Sequence, residues 1–130
     1  LLAGIDKRVK AFVFAVGDGG LVEHYSNPTP ANDVSGEVSP EMFKRWQELM
    51  DPIEPMRFVA HAAPSALLYQ NARNDSLVKV ESAKRYQEAG SQPKEIIWYN
   101  SGHGLGSEVF RDQINWLSKY IGIDPKKYKW

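Results

Sequence analysis

The sequence predicts an α/β fold with a parallel sheet, on three observations. Three short apolar runs stand apart along the chain: Ala11-Phe12-Val13-Phe14-Ala15-Val16, Ala66-Leu67-Leu68-Tyr69-Gln70 and Ile96-Ile97-Trp98-Tyr99. None alternates with polar residues, which is the pattern of strands covered on both faces. Helical sequence follows the second and third runs through short turns, as parallel βα units require.

Each element has its own grounds. The first run stops at Gly17-Asp18-Gly19-Gly20. That stretch could form an anion-binding nest, but it lacks the spacing of a dinucleotide or P-loop fingerprint and reads as a plain turn. Val80 to Ala89 is closed by Gly90 and the polar turn Ser91-Gln92-Pro93, a helix with a C-terminal glycine stop. After the third run, Phe110, Ile114, Leu117 and Ile121 fall at helical spacing, with Gly122 and then Asp124-Pro125 beyond them. Leu1-Leu2-Ala3-Gly4 reads as the last turn of a helix ending at a C′ glycine. With no initiator Met before it, the chain is expected to be one piece of a longer protein.

Residues 21–64 break the rhythm. Asn27-Pro28-Thr29-Pro30 and Asp33-Val34-Ser35-Gly36 are loop chemistry. Ser39-Pro40 offers an N-cap followed by proline at the first helical position. Met42 or Phe43, Trp46, and Leu49 or Met50 then put a bulky apolar stripe on that helix. The expectation is that this stripe packs on the sheet. The alternative is a small helical insertion, a lid whose apolar face lines a substrate pocket.

Composition bounds the rest. At 130 residues the chain is at most one domain of ordinary size. Its 42% hydrophobic and 25% charged residues are those of a soluble globular protein. Sixteen acidic residues balance sixteen basic ones, so no net field favours nucleic acid or an anionic membrane. Absence of cysteine excludes disulfides, thiolate nucleophiles and zinc-thiolate sites. His24 and His61 have no partners at metal-ligand spacing, so neither a metal nor a cofactor is expected, although His24 could face a pocket from the insertion. Lys119, Lys126, Lys127, Tyr128, Lys129 and Trp130 make a basic-aromatic tail, whose default is a solvated terminus. No apolar stretch approaches the roughly 20 residues that span a bilayer. The compartment stays open, with a slight preference for the cytoplasm. Three strands are too few for runs this apolar, and an open edge invites aggregation. The remaining strands are expected in another piece.

Two residues carry chemistry. Asp75 lies in the turn after the second run, and His103 lies in Ser101-Gly102-His103-Gly104 after the third. Ligands in such sheets gather at the carboxyl ends of the strands. A serine hydroxyl becomes a useful nucleophile when an imidazole takes its proton, and a carboxylate fixes the imidazole's tautomer. Acid then histidine, each after a buried strand and one helix apart, is the order of a Ser-Asp-His relay. Flanking glycines are expected to let the histidine loop approach closely. Each residue alone has a plainer reading, Asp75 as a turn former and His103 as a surface loop residue. No Gly-x-Ser-x-Gly occurs, and Ser65, Ser76, Ser101 and Ser107 lack the strand-turn-helix setting of an exposed nucleophile.

Leu68 to Val78, Lys94 to Tyr99 and Ser101-Gly102-His103-Gly104 together resemble the end of an α/β-hydrolase, most of all the dienelactone-hydrolase and acetyl-xylan-esterase-like branch. The opening, Leu1 to Ala11, is similar to the segment just past the nucleophile elbow in that branch. The resemblance spans nearly the whole chain, loosely across residues 21–64. It implies the C-terminal part of that fold, with Asp75 as triad acid and His103 as general base. Serine and oxyanion hole would then belong to the N-terminal half of the same domain, acting on a small carboxylic ester. Trp46, Met50, Met56 and Phe58 are the expected substrate-binding wall, chosen for bulk and place in the insertion. A peptidase of the prolyl-oligopeptidase kind shares the same final third. A non-catalytic α/β binding module and a degenerate hydrolase scaffold stay open beside these enzymes.

Overall fold

Three strands form one parallel sheet in the order β1 (Ala11–Ala15), β2 (Ala66–Ala72), β3 (Lys94–Tyr99). The computed structural model describes residues 1–34 and 36–128; Ser35 of the insertion loop and Lys129 and Trp130 of the tail lie outside the described residues. Among the described residues six α-helices accompany the sheet: α1 (Leu2–Ile5), α2 (Leu21–Ser26), α3 (Pro40–Met50), α4 (Pro55–Val59), α5 (Val80–Ala89) and α6 (Glu108–Ile121).

Side-chain alternation sorts the core into two layers. Leu67 and Tyr69 of β2 meet Ala3, Val59, Ala62 and Tyr86 on one face, with Phe12 and Phe14 beside them. Ala66 and Leu68 point the other way, onto Trp116 of α6, with Ala11, Val13, Ile97 and Leu117 packed around. Only β2 is buried along its whole length. β1 is half-exposed and β3 exposes Glu95 and Ile96, so two of the three runs are not covered on both faces. Their unbroken apolar runs border the central strand, and each leaves an outer edge unpaired among the described residues.

Several local expectations shift in detail. Gly4 lies inside α1 rather than at its C′ position, where a Cβ would come within 2.5 Å of the Phe58 carbonyl. It serves a close helix–helix approach. Gly90 caps α5 in an extended conformation (φ −67°), and a Cβ there would sit 2.2 Å from the Tyr69 hydroxyl. The last carbonyls of α5 are instead taken by Lys94, whose Nζ donates to Gln87 O and Gly90 O at 2.6 and 2.8 Å. Gly122 does adopt the left-handed stop (φ 71°) after α6. The buried face of α6 is Val109 and Trp116, while Phe110 is 61% exposed and Ile121 48%. Those two satisfy helical spacing, yet they lie a step round the helix from the sheet.

α3 departs furthest from expectation. Ser39 Oγ accepts from the Met42 amide at 3.2 Å, the expected cap. The stripe does not pack on the sheet, however. α3 has no buried residue, and its Trp46 meets α2, with the Tyr25 and Trp46 rings 5.8 Å apart, while Phe43 stacks on Trp46 within α3 at 5.6 Å. Met42 and Leu49 face outward. Buried Glu54 ties the insertion together, its Oε2 accepting from Val22 N–H at the start of α2 (2.9 Å). Burial holds the Glu54 carboxyl above the ordinary carboxylate range; Asp51, Asp18 and Glu23 add to this and the Val22 amide opposes it.

Two outcomes are expected. Gly90→Ala drives a methyl into the buried Tyr69 ring and should cost about 1–3 kcal/mol in denaturant unfolding. Because the folded state holds the Glu54 proton more tightly than the unfolded chain, the associated stabilisation is complete at low pH and lost as pH rises through the raised value. Glu54→Gln should therefore gain in melting temperature relative to wild type between about pH 4.5 and about pH 7, and parallel curves would refute the assignment.

Candidate active site

The loops after β2 and β3 are zipped together. Arg73 N–H donates to Tyr99 O (2.9 Å) and Asn74 N–H to Ser101 O (3.1 Å). This brings the Asp75 and His103 side chains into contact: His103 Nδ1 lies 3.0 Å from both carboxylate oxygens of Asp75. A carboxylate only accepts, so Nδ1 carries a proton, and in the neutral ring Nε2 is the acceptor. Among the described residues no partner meets Nε2. The Asp75 side chain is 1% exposed and the His103 ring 39%, a buried acid holding a reachable imidazole.

Asp75 is also a turn former. Its Oδ1 accepts from Leu77 N–H (2.8 Å) and Val78 N–H (3.0 Å), so one side chain shapes its own loop and orients the histidine. The glycines flanking His103 play a smaller part than expected. A Cβ at Gly102 would make an ordinary 3.7 Å contact with Asn74 O, and one at Gly104 would meet nothing. Positive φ falls instead on Leu105 (51°), two places past the histidine, and on Val16 (48°) at the end of β1. Val16 is β-branched, for which this conformation is strained.

His103 lines an open cleft of about 630 Å³ with Val16, Asp18, Leu21, His24, Tyr25 and Tyr86 among its walls. The backbone at the end of β1 is fixed there by Asn71, whose Nδ2 donates to Gly17 O (3.1 Å). His24 does face this cleft from the insertion. Of the wall residues expected from sequence, none lines it. Trp46 borders a neighbouring apolar concavity of about 450 Å³ between α2 and α3, with Val34, Val38, Met42 and Phe43. Leu21 and Tyr25 are common to both spaces. Met50 ends α3 and is half-buried, Met56 packs against the core beneath Gly19, and Phe58 lies against Gly4. Bulk within the insertion was too coarse a criterion, because the short α4 faces the core.

Asp18, Tyr25 and Tyr86 carried no sequence signal as cleft residues. Gly17-Asp18-Gly19-Gly20 at a strand end was the available hint for the first, and the aromatics of α2 and α5 come near only through the tertiary fold. No serine lines the cleft among the described residues; Ser65 Oγ, for one, is buried and donates to Val9 O at 2.6 Å. Nor do three or more His, Asp or Glu side chains there converge as a metal site. No helix among the described residues is long and apolar enough to cross a membrane.

A parallel sheet with helices on both faces thus carries an acid and a histidine that meet at its carboxyl edge, where ligands of such sheets gather. Among solved structures, the chain is similar to the α/β hydrolase GrgF from Penicillium sp. sh18, with a TM-score of 0.62 over 92% of this chain at 15% identity. The fold is therefore that of an α/β hydrolase, and the chain spans 58% of that protein's length. No family model matches the sequence, and no curated protein matches it either.

Proposed function

We propose that the chain furnishes the acid and the base of a serine hydrolase acting on carboxylic esters, of the dienelactone-hydrolase and acetyl-xylan-esterase-like kind. The observation that carries this reading is the 3.0 Å contact of His103 Nδ1 with a buried carboxylate, while Nε2 stays unengaged beside an open cleft. In that mechanism His103 Nε2 takes the proton of a serine hydroxyl as the oxygen attacks the ester carbonyl carbon. Asp75 stabilises the resulting imidazolium, and the proton passes to the departing alcohol as the acyl-enzyme forms. A water molecule then repeats the sequence: its proton goes to His103, its oxygen to the acyl carbon, and the serine is regenerated.

The nucleophile and the oxyanion hole are assigned to an N-terminal half of the same domain, which would pair with the free edge of β1. Two features support that partner. β1 residues from Val13 to Ala15 lie open in the cleft, and Leu1 together with Leu2 and Ile5 of the adjoining α1 are exposed apolar side chains. The apolar concavity beside Trp46 is assigned to the acyl group of the ester, because Leu21 and Tyr25 join it to the cleft.

In the full gene product that carries this chain, His103→Ala and Asp75→Asn should each lower turnover of a short-chain aryl ester by about three to four decades. Unchanged rates in both would remove the pair from the mechanism and leave a binding module or an inert scaffold. Trp46→Ala should lower kcat/KM for a hexanoyl ester by about tenfold relative to the acetate, the worth of a lost apolar contact. Equal loss on both esters would detach the concavity from the acyl group.

A further inference from the structure

We infer that Thr29 and Asn32 of the insertion, held by a second histidine–carboxylate pair, His24–Asp18, are positioning residues that orient Asp75 and through it His103. The structural part of this inference stands alone, and its kinetic part rests on the hydrolase reading.

Two imidazoles line the same cleft, each with Nδ1 on a carboxylate: His103 on Asp75, and His24 on Asp18 at 2.7 Å. They differ at Nε2. That of His24 is engaged by Asn32 Nδ2. The amide's orientation follows from its other contacts: Oδ1 accepts from Thr29 N–H (2.6 Å), and Nδ2 donates to the Leu77 carbonyl (3.1 Å). His24 is then a neutral ring donating from Nδ1 and accepting at Nε2. It has no free lone pair for a proton transfer, so its part is structural.

The grip on the acid loop is specific. Two peptide units supply the amides that Asp75 Oδ1 accepts, Ser76–Leu77 and Leu77–Val78. A peptide is planar, so fixing its carbonyl fixes the direction of its N–H. The Ser76 carbonyl accepts from Thr29 Oγ1 at 2.5 Å, and the Leu77 carbonyl accepts from Asn32 Nδ2. Each peptide that holds the acid is thus held at its other end by the insertion. Asp18 and Thr29 are both buried, which keeps competing water away from this network.

The test uses the full gene product with Thr29→Val, Thr29→Ser and Asn32→Asp. The serine variant keeps the hydroxyl, whereas the aspartate sets oxygen against Leu77 O and His24 Nε2. Loss of orientation should lower kcat about ten- to a hundredfold with KM little changed for Thr29→Val and Asn32→Asp, since misplacement by about an ångström costs on the order of a hundredfold. Thr29→Ser should restore kcat. In proton NMR, the downfield His103 Nδ1–H resonance should shift or broaden in the first two variants and not in Thr29→Ser. Circular dichroism melts check folding; if Asn32→Asp fails to fold, the Thr29 pair decides. An unmoved His103 resonance in folded Thr29→Val, or a serine variant as impaired as the valine, overturns the inference. If the wild type hydrolyses no ester, the hydrolase reading falls, and the resonance alone then judges the positioning role.

Discussion

The arrangement depends on one constraint: a carboxylate withdrawn from water must find donors for its oxygens. Asp75 meets it with two backbone amides and an imidazole N–H. Those three contacts set where the loop after β2 runs, which face of His103 is turned inward, and which nitrogen is left outward. Because the acid is enclosed, its partners cannot be exchanged for solvent. Proximity of the two loops is therefore a requirement of burial, and the acid–imidazole contact comes with it.

The sheet makes that proximity possible. β2 lies between β1 and β3 with every residue buried, and its polar end is fully employed. Gln70 donates to the Tyr99 hydroxyl (2.6 Å) and accepts from Gln113 (2.8 Å), so β2, β3 and α6 share one enclosed polar cluster. Enclosure pushes the Tyr99 hydroxyl up to about 12, which keeps it a neutral donor to Asp112 (3.0 Å). On the opposite face Asn71 accepts from Gln87 of α5 at 2.9 Å and fixes Gly17. Satisfied polar groups of this kind specify register more sharply than apolar contact does. They aim the strand ends that carry the acid and the histidine.

Legibility from sequence tracks the range of the interactions concerned. The three strands, helices α3, α5 and α6, the Ser39 cap and the Gly122 stop depend on neighbours within a few positions, and the residues announced them. Asp75 and His103 were visible as types at strand ends, although their contact is a tertiary fact. Features set by packing were not visible. Phe110 and Ile121 kept helical spacing yet turned outward, because the face α6 buries is set by the sheet's position. Gly4 and Gly90 were read as helix stops; Gly90 does end α5, but the Phe58 and Tyr69 contacts that forbid a side chain at both points were not visible. α3 was expected on the sheet because its stripe is apolar, and α2 is the surface it met. The Asp18–His24–Asn32 contacts join two loops through α2 with no common local pattern, so no motif could have named them.

The register of the sheet also bears on how the chain comes together. Ala11 pairs with Ala66 and Leu67 with Lys94, so the first crossover is about twice as long as the second. Each doubling of a flexible loop adds only about 0.6 kcal/mol of closure entropy. The whole cleft-side excursion between β1 and β2 thus weighs little on stability. Its cost is felt in time, since pairing segments distant in sequence slows folding. Variation can accumulate in that excursion, along one wall of the cleft, while the rest of the architecture stays intact.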